Sequence, residues 1–470
     1  MPRADQIPDC PEVPSNRSTD QVSRDYAIRL VTPLFGGGVE PGEPDMYLPI
    51  RGASIRGQLR FWWRTTCGRL LPANKMWRRE EEIFGSRDFP SPLELEVSRV
   101  QGIERLKASE AIDRDSPVGY ALFPAIENRA SLLKDGLTFH LKLRWPSAVG
   151  LQWMRAAQNQ RHDKFRQRPL PAKIRDITAD IEAAIWAWCR FGGLGARTRR
   201  GVGAIHIDPL PAPGTAKPSL HARIFIGAGI GTGWEKAIQA WKESIQVYRE
   251  FRQAPRGKIH KKTIPTNAGP KSVNVPGRTH WPEPDSIRWI TGCSLKPAAG
   301  SSYPAVPANV DPHDHSVPVA PASLLPAFPR AALGLPINFH FADGPQQNGP
   351  GETKRDPQDV QIVPLISLGG GRKEPGERMA SPVITRPLFV DGKWRPAIIV
   401  FKAPHLATLE ARIVGERSMT GGGNVSVDIP HAQIADPGLA GIEPLRWKAS
   451  AIDALIHYLT SVAKFREHAS

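Results

Sequence analysis

Between Phe191 and Gly203 the chain reads FGGLGARTRRGVG, thirteen residues holding five glycines (Gly192, Gly193, Gly195, Gly201, Gly203) and three arginines (Arg197, Arg199, Arg200). What flanks this run constrains the fold. Before it, Ile174, Ile177, Ile181, Ile185 and Trp188 recur at helical spacing over about Ile174–Arg190, and after it Val202–Ile207 has the residues of a strand. Gly192 and Gly193 stop the helix. A phosphate-cradling P-loop is excluded, because no Gly-Lys-Ser/Thr ends the run and it follows a helix instead of preceding one. As a mere connection it is over-endowed with arginine. Glycine permits positive φ and lets a backbone lie against RNA, while arginine supplies charge, so Gly195, Arg197, Arg199 and Arg200 are candidate RNA contacts.

Upstream, Tyr26–Thr32 alternates as a strand and is followed by a glycine turn at Gly36–Gly38. Ser54 is a suitable N-cap for a helix to about Leu70, with Ile55, Leu59, Trp62, Trp63, Thr66 and Leu70 on one side. Leu93–Val97, Tyr120–Phe123 and Leu137–Leu143 are strand candidates. Strand, helix, strands, helix, strand is the β-α-β-β-α-β order of a ferredoxin-like fold, with one strand candidate as an insertion. The expected class is α+β, with a disordered N-terminal extension over residues 1–23 and a first domain over 24–210.

A boundary falls at Pro209–Pro218, PLPAPGTAKP. The strand and helix pattern then restarts with Ala222–Ile226 and Trp234–Arg252, giving a second, similar domain over 219–470. Leu335–Phe341, Val383–Phe389 and Pro396–Lys402 are its further strands, and Leu445–Val462 is a closing helix. Long Pro- and Gly-rich insertions near 297–330 and 343–360 cannot form regular structure for long.

Charge narrows the partner. There are 62 Lys and Arg against 46 Asp and Glu, a formal +16 with a pI near 9.9, which suits a polyanion. From Arg51 to Arg79 eight bases stand without one acid, and Arg190–Arg200 is equally free of acids. Arg249–Arg278 has only Glu250 opposing its bases. At about 100° per residue, Arg56, Arg60 and Arg64 form a stripe beside the apolar face of the first helix, with Arg51 just before its start. Forked guanidinium donors and the free amides of a helix start suit a phosphate backbone. Phe61 points away from the apolar face and is placed to stack on a base, and Gly57 inside the helix suggests a close approach by a partner. The glutamates Glu80–Glu82 have no visible acid partner and are expected in a solvated turn or helix end.

Cys10, Cys67, Cys189 and Cys293 are too far apart for CxxC pairs, which argues against a thiolate zinc site or a disulfide framework. No run reaches the roughly 18 apolar residues of a membrane span, and the first 25 residues lack a signal-peptide core, so a cytoplasmic location is expected.

TPLFGGGVEPGE (Thr32–Glu43), PIRGASIRGQLRFWWR (Pro49–Arg64), EEEIFGS (Glu80–Ser86) and GGLGARTRRGVG (Gly192–Gly203) together resemble the RAMP superfamily, and within it the family of first subunits of type III-B CRISPR (Cmr) effector complexes. The resemblance is dense over Tyr26–Ile207 and continues thinly in Gly277–Arg288 and Ala380–Leu388. It implies two RRM-like domains and a non-catalytic, RNA-binding role in antiviral defence. The implied partners are other RAMP subunits, the 3′ portion of the guide RNA and single-stranded target RNA. The family's basic patch falls on Arg51, Arg56, Arg60 and Arg64, and its glycine-rich loop on Gly192–Gly203. The N-terminal extension and the Pro-rich insertion depart from the pattern.

No cofactor, metal or catalytic residue is expected. The alternative is a metal-independent RAMP endoribonuclease processing CRISPR RNA, in which a histidine activates the 2′-hydroxyl. His206 and His140 are the available side chains, though both suit ordinary strand positions. His313 and His315 lack further ligands at zinc spacing. GAGIGTG (Gly227–Gly233) sits between a strand and a helix as a dinucleotide fingerprint would, but its spacing is not GxGxxG.

Overall fold

A computed structural model of the 470-residue chain describes residues 21–40, 42–87, 90–113, 116–148, 150–151, 176–207, 209, 220–253, 260–266, 269–275, 279, 281–291, 326–341, 359–368, 370–416, 424–438, 445, 448 and 450–468. Helix and sheet are mixed throughout. The first half contains β1 (Gln21–Leu30), β2 (Leu34–Phe35), α1 (Gly52–Thr65), α2 (Ala73–Phe84), β3 (Glu94–Gln101), β4 (Arg105–Lys107), α3 (Ala108–Ala111), α4 (Pro117–Glu127), β5 (Ser131–Leu133), β6 (Thr138–Pro146), α5 (Thr178–Phe191) and β7 (Ile205–Ile207). Its main sheet is antiparallel with spatial order β3-β6-β1-β7, so β1, β3, β6 and β7 are joined through α1 and α5 as strand, helix, two strands, helix, strand.

The strand pattern explains one face. Ile28 and Leu30 of β1 and Phe139, Leu141 and Leu143 of β6 alternate inward and meet Ile55, Leu59, Trp62 and Trp63 of α1 and Ile181, Ile185 and Trp188 of α5. A tryptophan of this kind buries roughly 150–250 Å², about 4–6 kcal/mol of transfer free energy.

The second half contains β8 (Ala222–Ile226), α6 (Trp234–Gln253), β9 (His260–Thr266), β10 (Gly269–Val275), α7 (Glu283–Thr291), β11 (Ile337–Phe339), β12 (Val360–Ser367), β13 (Lys373–Pro375), β14 (Val383–Val390), β15 (Lys393–Phe401), β16 (Ala411–Glu416), β17 (Asn424–Ile429), α8 (Ala432–Ala435), α9 (Ala451–His457) and β18 (Arg466–His468). Its sheet β14-β15-β8-β18 repeats the connectivity of the first, with α6 and α9 as the crossing helices. A further sheet, β11-β12-β16-β17 with β13 beside β12, has its own core around Ile362, Ala411 and Ile413. The principal core crosses between the halves: Ile224, Ile384, Leu388, Ile399 and Phe401 belong to the same cluster as α1 and α5.

Several sequence expectations are corrected. Tyr120–Phe123 lies in α4, not in a strand; Ser116 caps that helix by accepting from the Gly119 amide, and Pro117 occupies its first turn. Helix α1 begins at Gly52 with Arg51 at the N-cap and no side-chain cap, so Ser54 does not cap it. It ends at Thr65, and Leu70, placed on the buried face by the sequence, is 68% exposed in a short 3-10 turn. The closing helix is shorter than expected and is followed by β18. The expected extension 1–23 has only its last three residues described, as the start of β1, and most of both Pro- and Gly-rich insertions lies outside the described residues. Among the described residues no helix is long and apolar enough to cross a membrane.

Candidate nucleic-acid interface

Helix α1 carries Arg56, Arg60 and Arg64 one turn apart beside its buried side, as its period dictates. Gly57 is exposed, with nothing within 4 Å of a Cβ placed there, so the helix surface between Arg56 and Arg60 is open. The stripe is nonetheless partnered. Arg51 pairs with Asp45 at 2.7 Å, Arg56 donates to the Leu93 carbonyl at 3.0 Å, and Arg60 donates to the carbonyls of Phe84 (2.9 Å) and Gly85. Arg64 makes a two-pronged bridge to Glu80, 2.6 Å on each side, and Arg60 lies 3.6 Å from the same carboxylate.

Glu80 is therefore not in a solvated turn. It sits in α2 at 6% exposure, facing the arginines of α1. The Glu80 hydrogen bond raises the basicity of Arg64, while burial and then Arg60 lower that of Arg56. Half-exposed Arg64 is the most accessible guanidinium of the stripe.

Phe61 does not point away from the apolar face. It is half-buried against the main core, edge-on to Trp62 at 5.1 Å, with the Arg199 guanidinium 5.4 Å from its ring centre. A base could stack there only by displacing Arg199.

The glycine-arginine run joins α5 to β7 as expected, but its residues work mostly between the two halves. Arg197, in the left-handed conformation at φ +59°, donates to the Ala121 carbonyl and lies over Phe123. Arg199 donates to the Ser381 carbonyl, and Arg200 to the Val383 carbonyl at 3.2 Å while lying 4.7 Å over Tyr248. Burial, and secondarily Arg200, pushes Arg197 down to about 10 and lowers Arg199. The glycines have steric reasons. Gly195 has φ +76°, and a Cβ there would meet the Phe35 carbonyl oxygen at 2.5 Å; Gly201 has φ +70°, and a Cβ would stand 2.5 Å from the Thr385 carbonyl oxygen.

The sequence reading missed Arg386, which is 3% exposed and donates to the carbonyls of Gly192 (2.7 Å), Pro387 (3.0 Å) and Ile205 (3.1 Å). Burial opposes its charge, and three carbonyl acceptors offset the removal of water. It had no local signal, since its partners Gly192 and Ile205 lie almost two hundred positions away.

A sequence model of the RAMP superfamily matches residues 27–206, the segment containing both the α1 stripe and the glycine-arginine run. Two Pyrococcus furiosus proteins are similar over much the same length. CRISPR system Cmr subunit Cmr1-2 is 25% identical over 195 residues, 39% of this chain and 95% of that protein. CRISPR system Cmr subunit Cmr1-1 is 26% identical over 164 residues, 34% of this chain and 41% of that protein. Over this segment the chain resembles the RAMP superfamily and the Cmr subunit Cmr1. The crystal structure of Cmr1 from Pyrococcus furiosus in its apo form aligns over 95% of this chain and 98% of its own with a TM-score of 0.40 and 14% identity.

Neither candidate histidine lies on α1. His206 lies on β7 among Trp234, Phe389 and Trp394, and His140 lies on β6. Among the described residues no group of three or more His, Cys, Asp or Glu is placed to hold a metal ion; His313 and His315 lie outside them.

Proposed function

We propose that the chain is a non-catalytic RNA-binding subunit of a type III-B CRISPR (Cmr) effector complex, contacting guide RNA, target RNA or both. The observation that carries this reading is a coincidence of position. The segment that matches the RAMP superfamily is the segment in which α1 sets Arg56, Arg60 and Arg64 in a row beside an open helix surface. Such a row meets a phosphate backbone without reading sequence. The two halves are taken as tandem ferredoxin-like domains, about 24–210 and 219–470, a reading supported by the repeated connectivity and 4-1-3-2 strand order of the two sheets. Other RAMP subunits are the proposed protein partners, by analogy with the named relatives.

The test is a titration of fluorescent single-stranded RNA against the full chain and an Arg56→Gln/Arg60→Gln/Arg64→Gln variant. Affinity is expected to fall at least tenfold, and the log–log salt slope to shrink by roughly 0.7 for each phosphate that the variant no longer neutralises. An unchanged slope with unchanged affinity removes the stripe from the interface. Arg197, Arg199, Arg200 and Gly195 remain in the proposed interface as flanking contacts, but the inter-half bonds of Arg199 and Arg200, the Ala121 bond of Arg197 and the tight fit of Gly195 make them poorer probes. No cleavage step is assigned to the chain, and end-labelled RNA incubated with it is expected to stay intact.

A further inference from the structure

A second surface stands apart from the α1 stripe. Strands β14 and β15 meet in a two-residue hairpin whose turn, Asp391-Gly392, has positive φ at both positions, the geometry of a type I′ turn. This hairpin pairs Phe389 directly with Trp394, ring centres 5.2 Å apart. The Gly227–Gly233 run, whose spacing is not that of a nucleotide fingerprint, lies beside it: Trp394 exchanges backbone hydrogen bonds with Gly231 and Ile230, and the run delivers Trp234 at the start of α6. Strand β7 supplies His206 to the same place, 5.1 to 5.4 Å from the rings of Trp234, Phe389 and Trp394. Arg29 is the cross-strand neighbour of His206, and its guanidinium sits 4.7 Å over the Trp234 ring.

Two large rings of this cluster face water, Trp234 at 46% and Phe389 at 36% exposure, whereas Trp394 forms a buried floor. Exposed aromatics rimmed by polar groups mark a binding surface. The rim selects the occupant. Arg29 brings positive charge, and the nearby Asp391 carboxylate is neutralised by Arg395 at 3.7 Å and Arg466 at 3.1 Å. Exposed aromatic rings beside a cation, at the edge of a sheet, suit a π-face joined to a phosphate, with the base taking the place of the Arg29 guanidinium on the Trp234 ring and the guanidinium turning to the phosphate.

We propose that Trp234, Phe389 and His206, on the floor of Trp394, form a subsite that stacks one splayed-out nucleobase of single-stranded RNA, with Arg29 on its phosphate. This rests on the RNA-binding reading above and adds a base-binding element that the phosphate stripe lacks. It also gives His206 a stacking role in place of general-base chemistry.

The experiment compares two fluorescein-labelled probes on the full chain: an adenylate dodecamer and the same ribose-phosphate backbone without bases. Wild type is expected to prefer the adenylate probe about tenfold. Trp234→Ala/Phe389→Ala is expected to abolish that preference and leave abasic binding unchanged, while Trp234→Phe/Phe389→Tyr retains it, with thermal melts confirming that each variant folds. Equal wild-type affinity for both probes overturns the base subsite and leaves the phosphate reading standing. Full adenylate affinity in the alanine variant also overturns it and assigns the patch to an apolar protein partner. Failure of wild type to bind either probe overturns both readings.

Discussion

Glu80 shows how one residue changes the meaning of a charge pattern. The stretch from Arg51 to Arg79 is free of acids, yet the next residue, on the second turn from the end of α2, reaches back to clamp Arg64 and draw in Arg60. A linear window cannot see that α1 and α2 fold against each other. Since Arg60 and Arg64 are one-third and one-half exposed, both still reach water if the carboxylate is removed, so Glu80→Gln is expected to cost only about 1 kcal/mol, seen as a fall of roughly 2 °C in Tm. The same substitution frees the Arg64 guanidinium for phosphate, while Arg60 keeps its bonds to the Phe84 and Gly85 carbonyls. Tighter RNA binding with a steeper salt dependence is the expected result; unchanged binding would mean that Arg64 serves only to hold α2.

Elements were legible where periodicity is strong and neighbours are sequential. The order strand, helix, strands, helix, strand could be read, as could α5, β8, α6, β14 and β15 within a few residues. The failure at Tyr120–Phe123 has a definite cause: a short apolar run carries no period, and the Ser116-Pro117 start signal that distinguishes a helix stands outside it. The site was only half legible. The positions of the arginines followed from helical spacing, but their carbonyl partners at Phe84, Ala121 and Ser381 depend on tertiary packing. Glycines make the contrast testable. Gly203 has φ +68° and would drive a Cβ into the Leu194 carbonyl oxygen, while its own amide and carbonyl hold Pro33 and Leu194, so Gly203→Ala is expected to lower stability by about 3 kcal/mol in denaturant unfolding. Gly57→Ala meets open space in a helix interior and is expected to raise stability by about 1 kcal/mol. If RNA lies against that turn, the more stable Gly57→Ala protein will bind it more weakly.

At the scale of the whole molecule, the second sheet has a core of its own on one face, around Phe225, Tyr248 and Ile398, but shares the core on its other face with the first half. Ile384, Leu388 and Ile399 of the second half share one cluster with Trp62 and Ile185 of the first, and the Trp241 indole of α6 donates to the Arg200 carbonyl at 2.7 Å. Arg386 extends this union to buried polar groups, since its side chain satisfies the carbonyls at the end of α5 and the start of β7. Domains with private cores unfold independently, but a shared core makes exposure of one half cost the other its packing. Calorimetry of the full chain is therefore expected to show the two repeated units melting in one transition, and two resolved endotherms for them would refute the coupling. Arg386→Ala removes three charge-assisted hydrogen bonds and leaves buried carbonyls unpaired, a cost of about 3 kcal/mol. That cost is expected to lower the shared transition as a unit. Because the same junction positions the glycine-arginine run, Arg386→Ala should also weaken RNA binding once temperature approaches the lowered Tm, and leave it unchanged well below.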